Sequence, residues 1–109
     1  MSATVTEIPR EEIIDLLIIV STAESGPVLL PLARACRRRD LHWTCFFTND
    51  GVRVLKDPAI VEAIKHANAP IACEHSWARY TEGGDCPIAL GSQTDNSAVV
   101  ARARKVIGL

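Results

Sequence analysis

The sequence predicts one α/β domain, a mostly parallel five-stranded sheet with helices on both faces in a three-layer sandwich. Three observations carry this expectation. Ile13–Ser21 (IIDLLIIVS) is a near-continuous run of β-branched and aliphatic residues, the pattern of a strand buried on both faces of a parallel sheet. Further strand-like runs alternate with helix-periodic segments along the chain, the order of β-α units joined by parallel crossovers. A length of 109 residues, 48% of them apolar, suits a single core.

The elements follow in order. Met1–Arg10 has no periodicity, so residues 1–12 are expected to form a flexible arm ahead of a domain over 13–109. After the first strand, Thr22–Pro27 is a turn-rich break. Leu29, Leu32, Ala33 and Cys36 then share one helical face, with Arg34, Arg37 and Arg38 pointing elsewhere. Pro31 conflicts with an uninterrupted helix from Pro27, so a kink is expected there, or a start near Pro31. Leu41–Thr48 (LHWTCFFT) makes the second strand, closed by the turn residues Asn49-Asp50-Gly51. Asp57-Pro58 starts the next helix, with Asp57 as N-cap, Ile60, Val61, Ile64 and Ala67 inward, and Asn68 closing it. Pro70–Cys73 is a short third strand, Glu74–Tyr80 a short helix, and Glu82–Asp85 a loop. Cys86–Leu90 is the fourth strand. Thr94 or Asp95 caps a last helix with Val99, Val100 and Ala103 inward, and Lys105–Leu109 forms the fifth strand.

Composition narrows the function. A formal net charge of −1 with 23% charged residues speaks against nucleic acid or an anionic membrane as partner, since phosphate binding calls for a basic excess. Arg37-Arg38-Arg39 is the single basic cluster, and a helix C-terminus explains it. No signal-like start and no apolar run of spanning length is visible, so a cytoplasmic protein is expected. The four cysteines are then free thiols rather than a disulfide framework.

Reactive groups in an open parallel sheet collect at the C-terminal strand ends. Four loops qualify: Thr22–Gly26, Asn49–Gly51, Cys73–Ser76 and Gly91–Thr94. Cys36 on the apolar helix face and Cys45 inside a strand suit small buried hydrophobes. Cys73 lies where the third strand ends and a helix begins, so helix N-terminal amides, with His75 and Arg79 nearby, can lower its pKa and make the thiolate nucleophile available. The same position also suits a plain buried strand residue. Cys86 belongs at the opposite sheet edge, which disfavours a Cys73–Cys86 redox pair. Cys73, His75 and Cys86 supply three ligands without the paired spacing of structural zinc sites, so no metal and no cofactor are expected. Thr22–Gly26 lacks a P-loop lysine and carries Glu24, so a plain connection explains it better than a phosphate turn of the flavodoxin-like kind. Asp50 could serve as acid or ligand, although turn chemistry accounts for it.

Trp43–Val52 (WTCFFTNDGV) followed by Leu55-Lys56 resembles the aromatic second strand and Gly-Val turn of DsrE-like proteins (the DsrE, DsrF and TusD type). Ile71–Ser76 (IACEHS) resembles that family's third strand, which ends in a cysteine in its active members. Ile88–Ser92, then Val99–Leu109, is similar to its closing strand-helix-strand, so the likeness spans Asp15–Leu109. The resemblance implies a DsrE-like three-layer fold and a role in sulfur relay. Cys73 would accept a sulfane sulfur as a persulfide and pass it to a partner thiol, with His75, Ser76, Arg79, Asn49 and Asp50 as site neighbours. It also implies a homo-oligomer, trimer or hexamer, working with TusA-like or rhodanese-like sulfur-transfer proteins. Glu74, unusual for the family, is expected to raise the thiol pKa. The alternatives are a non-catalytic interaction subunit of an oligomer, with Cys73 inert, and a small-ligand or nucleotide binder of flavodoxin-like fold.

Overall fold

The structure, a computed structural model, describes residues 13–109. The arm expected over 1–12 lies outside the described residues. The strands are β1 (Leu16–Val20), β2 (Trp43–Phe47), β3 (Ile71–Cys73), β4 (Ala89–Gly91) and β5 (Val106–Gly108). The helices are α1 (Gly26–Arg38), α2 (Pro58–Ile64), α3 (Glu74–Tyr80) and α4 (Gln93–Arg102). The strands form one sheet in the order β4-β3-β2-β1-β5, and every pairing is parallel. Among the described residues, no helix is long and apolar enough to cross a membrane.

The helices divide unequally between the two faces, for a reason of handedness. From β1 to β4 the chain steps across the sheet in one direction, and right-handed crossovers then place α1, α2 and α3 on one side. From β4 it returns past three strands to β5, so the same rule places α4 on the other side. The packing follows this division. Leu16, Ile18 and Val20 of β1, with Trp43, Cys45 and Phe47 of β2, meet Leu29, Ala33 and Cys36 of α1 and Ile60 and Ile64 of α2 in the main core. The intervening Leu17 and Phe46 form a second, smaller core with Cys73, packed against Val99 and Ala103. Burial of both faces accounts for the unbroken apolar run in β1 and for a β2 run interrupted only by Thr44.

Several boundaries depart from expectation. α1 begins at Gly26 and continues through Pro31, where the missing N–H leaves the Pro27 carbonyl without its usual intrahelical donor. α2 begins as expected, with the Asp57 carboxylate accepting from the Ala59 N–H at 2.9 Å, but stops at Ile64 rather than Asn68. There the Asn68 N–H is drawn to the Trp43 carbonyl at 2.7 Å, and Ala69 takes a left-handed φ of 52°. β4 starts at Ala89 instead of Cys86, because Pro87 has no N–H for the ladder. α4 is capped by Ser92, not by Thr94 or Asp95. Val100 is exposed while its neighbour Val99 packs inward, since consecutive helical residues cannot both face the sheet.

The expected turn at Asn49–Gly51 opens a longer 3-10 run over Asn49–Lys56, which buries Val52, Val54 and Leu55. Gly51 fixes where that run lies, because a Cβ there would overlap the Val20 carbonyl oxygen, which already accepts from the Thr48 N–H at 2.9 Å. Gly51→Ala is therefore expected to lower stability in urea unfolding by about 1–3 kcal/mol, the range for forced overpacking. An unchanged midpoint would show that the run can shift freely.

Candidate functional site

The return crossover also determines where a crevice opens. β3 leaves the sheet into α3 on the main-core side, whereas the adjacent β4 leaves into α4 on the other. Divergent loops from neighbouring parallel strands leave a cleft at their C-terminal ends. Cys73, the last residue of β3, is paired there with Gly91, the last of β4. The cleft measures about 270 Å³.

Each wall comes from a different loop. Cys73 is the N-cap residue of α3, and the stripe His75, Ser76, Arg79 and Tyr80 on that helix lines one side. Thr48 and Asn49, after β2, line a second side, and Gln93, in the first turn of α4, lines a third. Gln93 is placed by the cap before it. The Ser92 hydroxyl accepts from the Asp95 N–H at 3.3 Å, while the Asp95 carboxylate accepts from the Ser92 N–H at 2.7 Å. Gly91 permits this closure, since a Cβ there would press on the Asp95 carboxylate at 2.8 Å.

Ser76 joins two of the loops. Its buried hydroxyl accepts from the Asn49 N–H at 2.8 Å and stands 3.5 Å from Thr48 Oγ1. Gln93 Nε2 donates to Thr48 Oγ1 at 3.3 Å. Burial alone would raise the Cys73 pKa. Hydrogen bonds from the Ser76 hydroxyl, the Ser76 and His75 backbone N–H groups and the Gln93 side chain outweigh that cost, so the thiol lies below its ordinary value. The other three cysteines shift the opposite way. Burial pushes Cys45 far up, with Cys36 adding to the effect. Cys36 and Cys86 are also raised by burial, partly offset by a backbone hydrogen bond in each case.

Of the residues expected at the site, Cys73, His75, Ser76, Arg79 and Asn49 come together, and Asp50 does not line the cleft. Asp50 belongs to the first turn of the 3-10 run, and it is the preceding Asn49 that meets Ser76. Glu74 is exposed and is not among the groups that shift the thiol, so the expected rise in pKa is overturned. The lowering comes from hydrogen bonds rather than from the charges of His75 and Arg79. Cys86 precedes β4, away from the strand end that faces Cys73. The Thr22–Gly26 loop is tied to itself, with Thr22 Oγ1 2.6 Å from Ser25 Oγ, and does not line the cleft. Among the described residues, no group of three His, Cys, Asp or Glu side chains is placed to hold a metal ion. Thr48 and Tyr80 were not among the expected site residues, and Gln93 was expected only as part of the Gly91–Thr94 loop. The Ser92-x-x-Asp95 spacing, a capping-box signature, would have put Gln93 at the start of α4.

Compared with protein-family models and with curated proteins, the chain matches none.

Ser76→Ala removes one hydrogen bond to a charged acceptor, typically worth about 1.5–3 kcal/mol. The pH profile of Cys73 alkylation should move to higher pH, with about a tenfold smaller thiolate fraction at neutral pH. An unmoved profile would mean that the backbone amides and Gln93 suffice.

Proposed function

We propose that this protein is a sulfur carrier, or sulfurtransferase subunit, of the DsrE-like type. It accepts a sulfane sulfur as a persulfide on Cys73 and relays it to a partner thiol. The observation that carries this reading is that one thiol of four has a lowered pKa, and that same thiol lines the cleft at the sheet's C-terminal edge.

The chemistry needs little beyond that thiol. The Cys73 thiolate attacks the outer sulfur of a donor persulfide, forming a new S–S bond as the donor's S–S bond breaks and its thiolate departs. The electron count is unchanged, so no redox cofactor takes part. The Ser76 hydroxyl, the His75 and Ser76 amides and Gln93, which stabilise the thiolate, would stabilise the Cys73 persulfide anion in the same way. Relay onward is the same exchange with a partner thiol as nucleophile.

In this reading the protein is cytoplasmic and homo-oligomeric, a trimer or hexamer, with TusA-like or rhodanese-like proteins as sulfur-transfer partners. Exposed Leu90 on edge strand β4, Val106 on edge strand β5 and Val100 on α4 support assembly, since parallel sheets are ordinarily covered. A second reading, an interaction subunit with an inert cysteine, is favoured by the 4% exposure of Cys73.

Intact-mass measurement after incubation with a persulfide donor separates the two. Wild type should gain about 32 Da per sulfur transferred, and Cys73→Ser should not, given thiolate attack on sulfane sulfur. No gain, or an equal gain in the variant, would leave the interaction-subunit reading.

A further inference from the structure

The cleft also carries an electrostatic signature that sulfur transfer by itself does not require. His75 and Arg79 stand one turn apart on α3, on the stripe that faces Cys73. The guanidinium carbon of Arg79 is 5.5 Å from the centroid of the Tyr80 ring. The Arg53 guanidinium stands 5.9 Å from the same ring, held by its Nε donating to the Tyr80 carbonyl at 2.9 Å. Among the described residues, no acidic side chain lines the cleft. Among the described residues the one ion pair is Lys65–Glu62, at 2.8 Å on the surface of α2, so neither guanidinium pairs with a carboxylate of those residues. Arg79 thus brings a guanidinium to the cleft wall that holds the nucleophile, with Arg53 behind the same ring, and no carboxylate among the described residues pairs with either.

From this arrangement we propose that the cleft selects a small sulfur donor bearing a carboxylate, and that Arg79 is the specificity-determining residue that binds the carboxylate. The assignment rests on the sulfur-carrier reading above. A volume of about 270 Å³ is near the lower end for small-molecule sites, and a short peptide-like thiol persulfide fits that scale. A planar guanidinium suits a carboxylate through paired N–H donors. With the carboxylate on Arg79, the outer sulfur is presented to Cys73. The donor R–S–SH yields Cys73–S–SH and R–S⁻, one S–S bond forming as one breaks. The departing anionic thiolate leaves through the open mouth of the cleft.

The test compares loading of Cys73 from glutathione persulfide, which carries carboxylates, with loading from cysteamine persulfide, which carries an ammonium group instead. Rates are read by mass in wild type, Arg79→Gln and Arg79→Lys. The anionic-to-cationic rate ratio should fall about fivefold in Arg79→Gln, the size of one exposed ion pair, and recover only in part in Arg79→Lys, which restores the charge without the paired donors. Added salt should lower the wild-type ratio and barely move that of Arg79→Gln. Alkylation of Cys73 by iodoacetate against iodoacetamide reads the same charge preference without sulfur transfer. An unchanged ratio in Arg79→Gln, or a Lys variant as low as Gln, overturns the assignment while leaving the carrier reading intact. A wild-type protein that loads neither persulfide overturns the carrier reading and this assignment with it.

Discussion

The handedness of the crossover from β4 to β5 is the constraint on which the site depends. Had the chain continued outward from β4, a right-handed connection would have placed α4 beside α3 on the main-core face. The loops after β3 and β4 would then have turned the same way, and no crevice would have opened between them. The return across three strands separates those loops, brings Gln93 over the end of β3, and gives the sheet its second, thinner core around Leu17 and Phe46. Cys73 shares that core, so its sulfur lies between an apolar floor and a polar cleft.

Two opposed effects meet at that sulfur. Burial raises the pKa of a thiol because a thiolate loses hydration, and Cys45 shows the outcome when nothing opposes it. Cys73 is buried too, yet hydrogen bonds reverse the sign. The donors that do this are also structural. Ser76 ties α3 to Asn49, and Gln93 ties α4 to Thr48, so the groups that stabilise the anion are oriented by the contacts that hold the three loops together. Pre-oriented donors need little reorganisation when charge appears, which is why they can outweigh the loss of water.

Much of this was legible in the sequence, and the illegible part has identifiable causes. Five strands in parallel order followed from the apolar runs and their alternation with helical periods, and Cys73 followed from its place between Ile71-Ala72 and a helix-forming segment. The boundaries that moved did so where tertiary contacts compete with local pattern. The Asn68 N–H bonds to Trp43 rather than extending α2, and Pro87 shortens β4. Of the cleft, the α3 side was accessible because it is contiguous with Cys73. Thr48 and Gln93 are 25 residues before and 20 after Cys73; the sequence placed their loops at the same end of the sheet, and the strand order shows which of the four loops are neighbours. The source of the lowered pKa was half visible. Amides at the start of α3 were expected, whereas the hydroxyl of Ser76, which also accepts from the Asn49 N–H, was not expected to lower the thiol pKa.

That coupling gives the cleft a pH-dependent place in the stability of the fold. Cys73 has a lower pKa in the folded chain than an ordinary thiol, so the folded state binds its proton less tightly than the unfolded state does. The thiolate therefore contributes stability that is fully present above the unfolded pKa and is lost as pH falls through the folded value. Cys36, Cys45 and Cys86, all raised, work in the opposite sense, favouring the folded state while protonated and opposing it as alkaline pH ionises them. The window between the lowered Cys73 value and the raised values of the other three is where one thiol is ionised and the rest are neutral. Within it the anion is fixed by the Ser76 and Gln93 contacts that position the loops, and the remaining cysteines are still core residues.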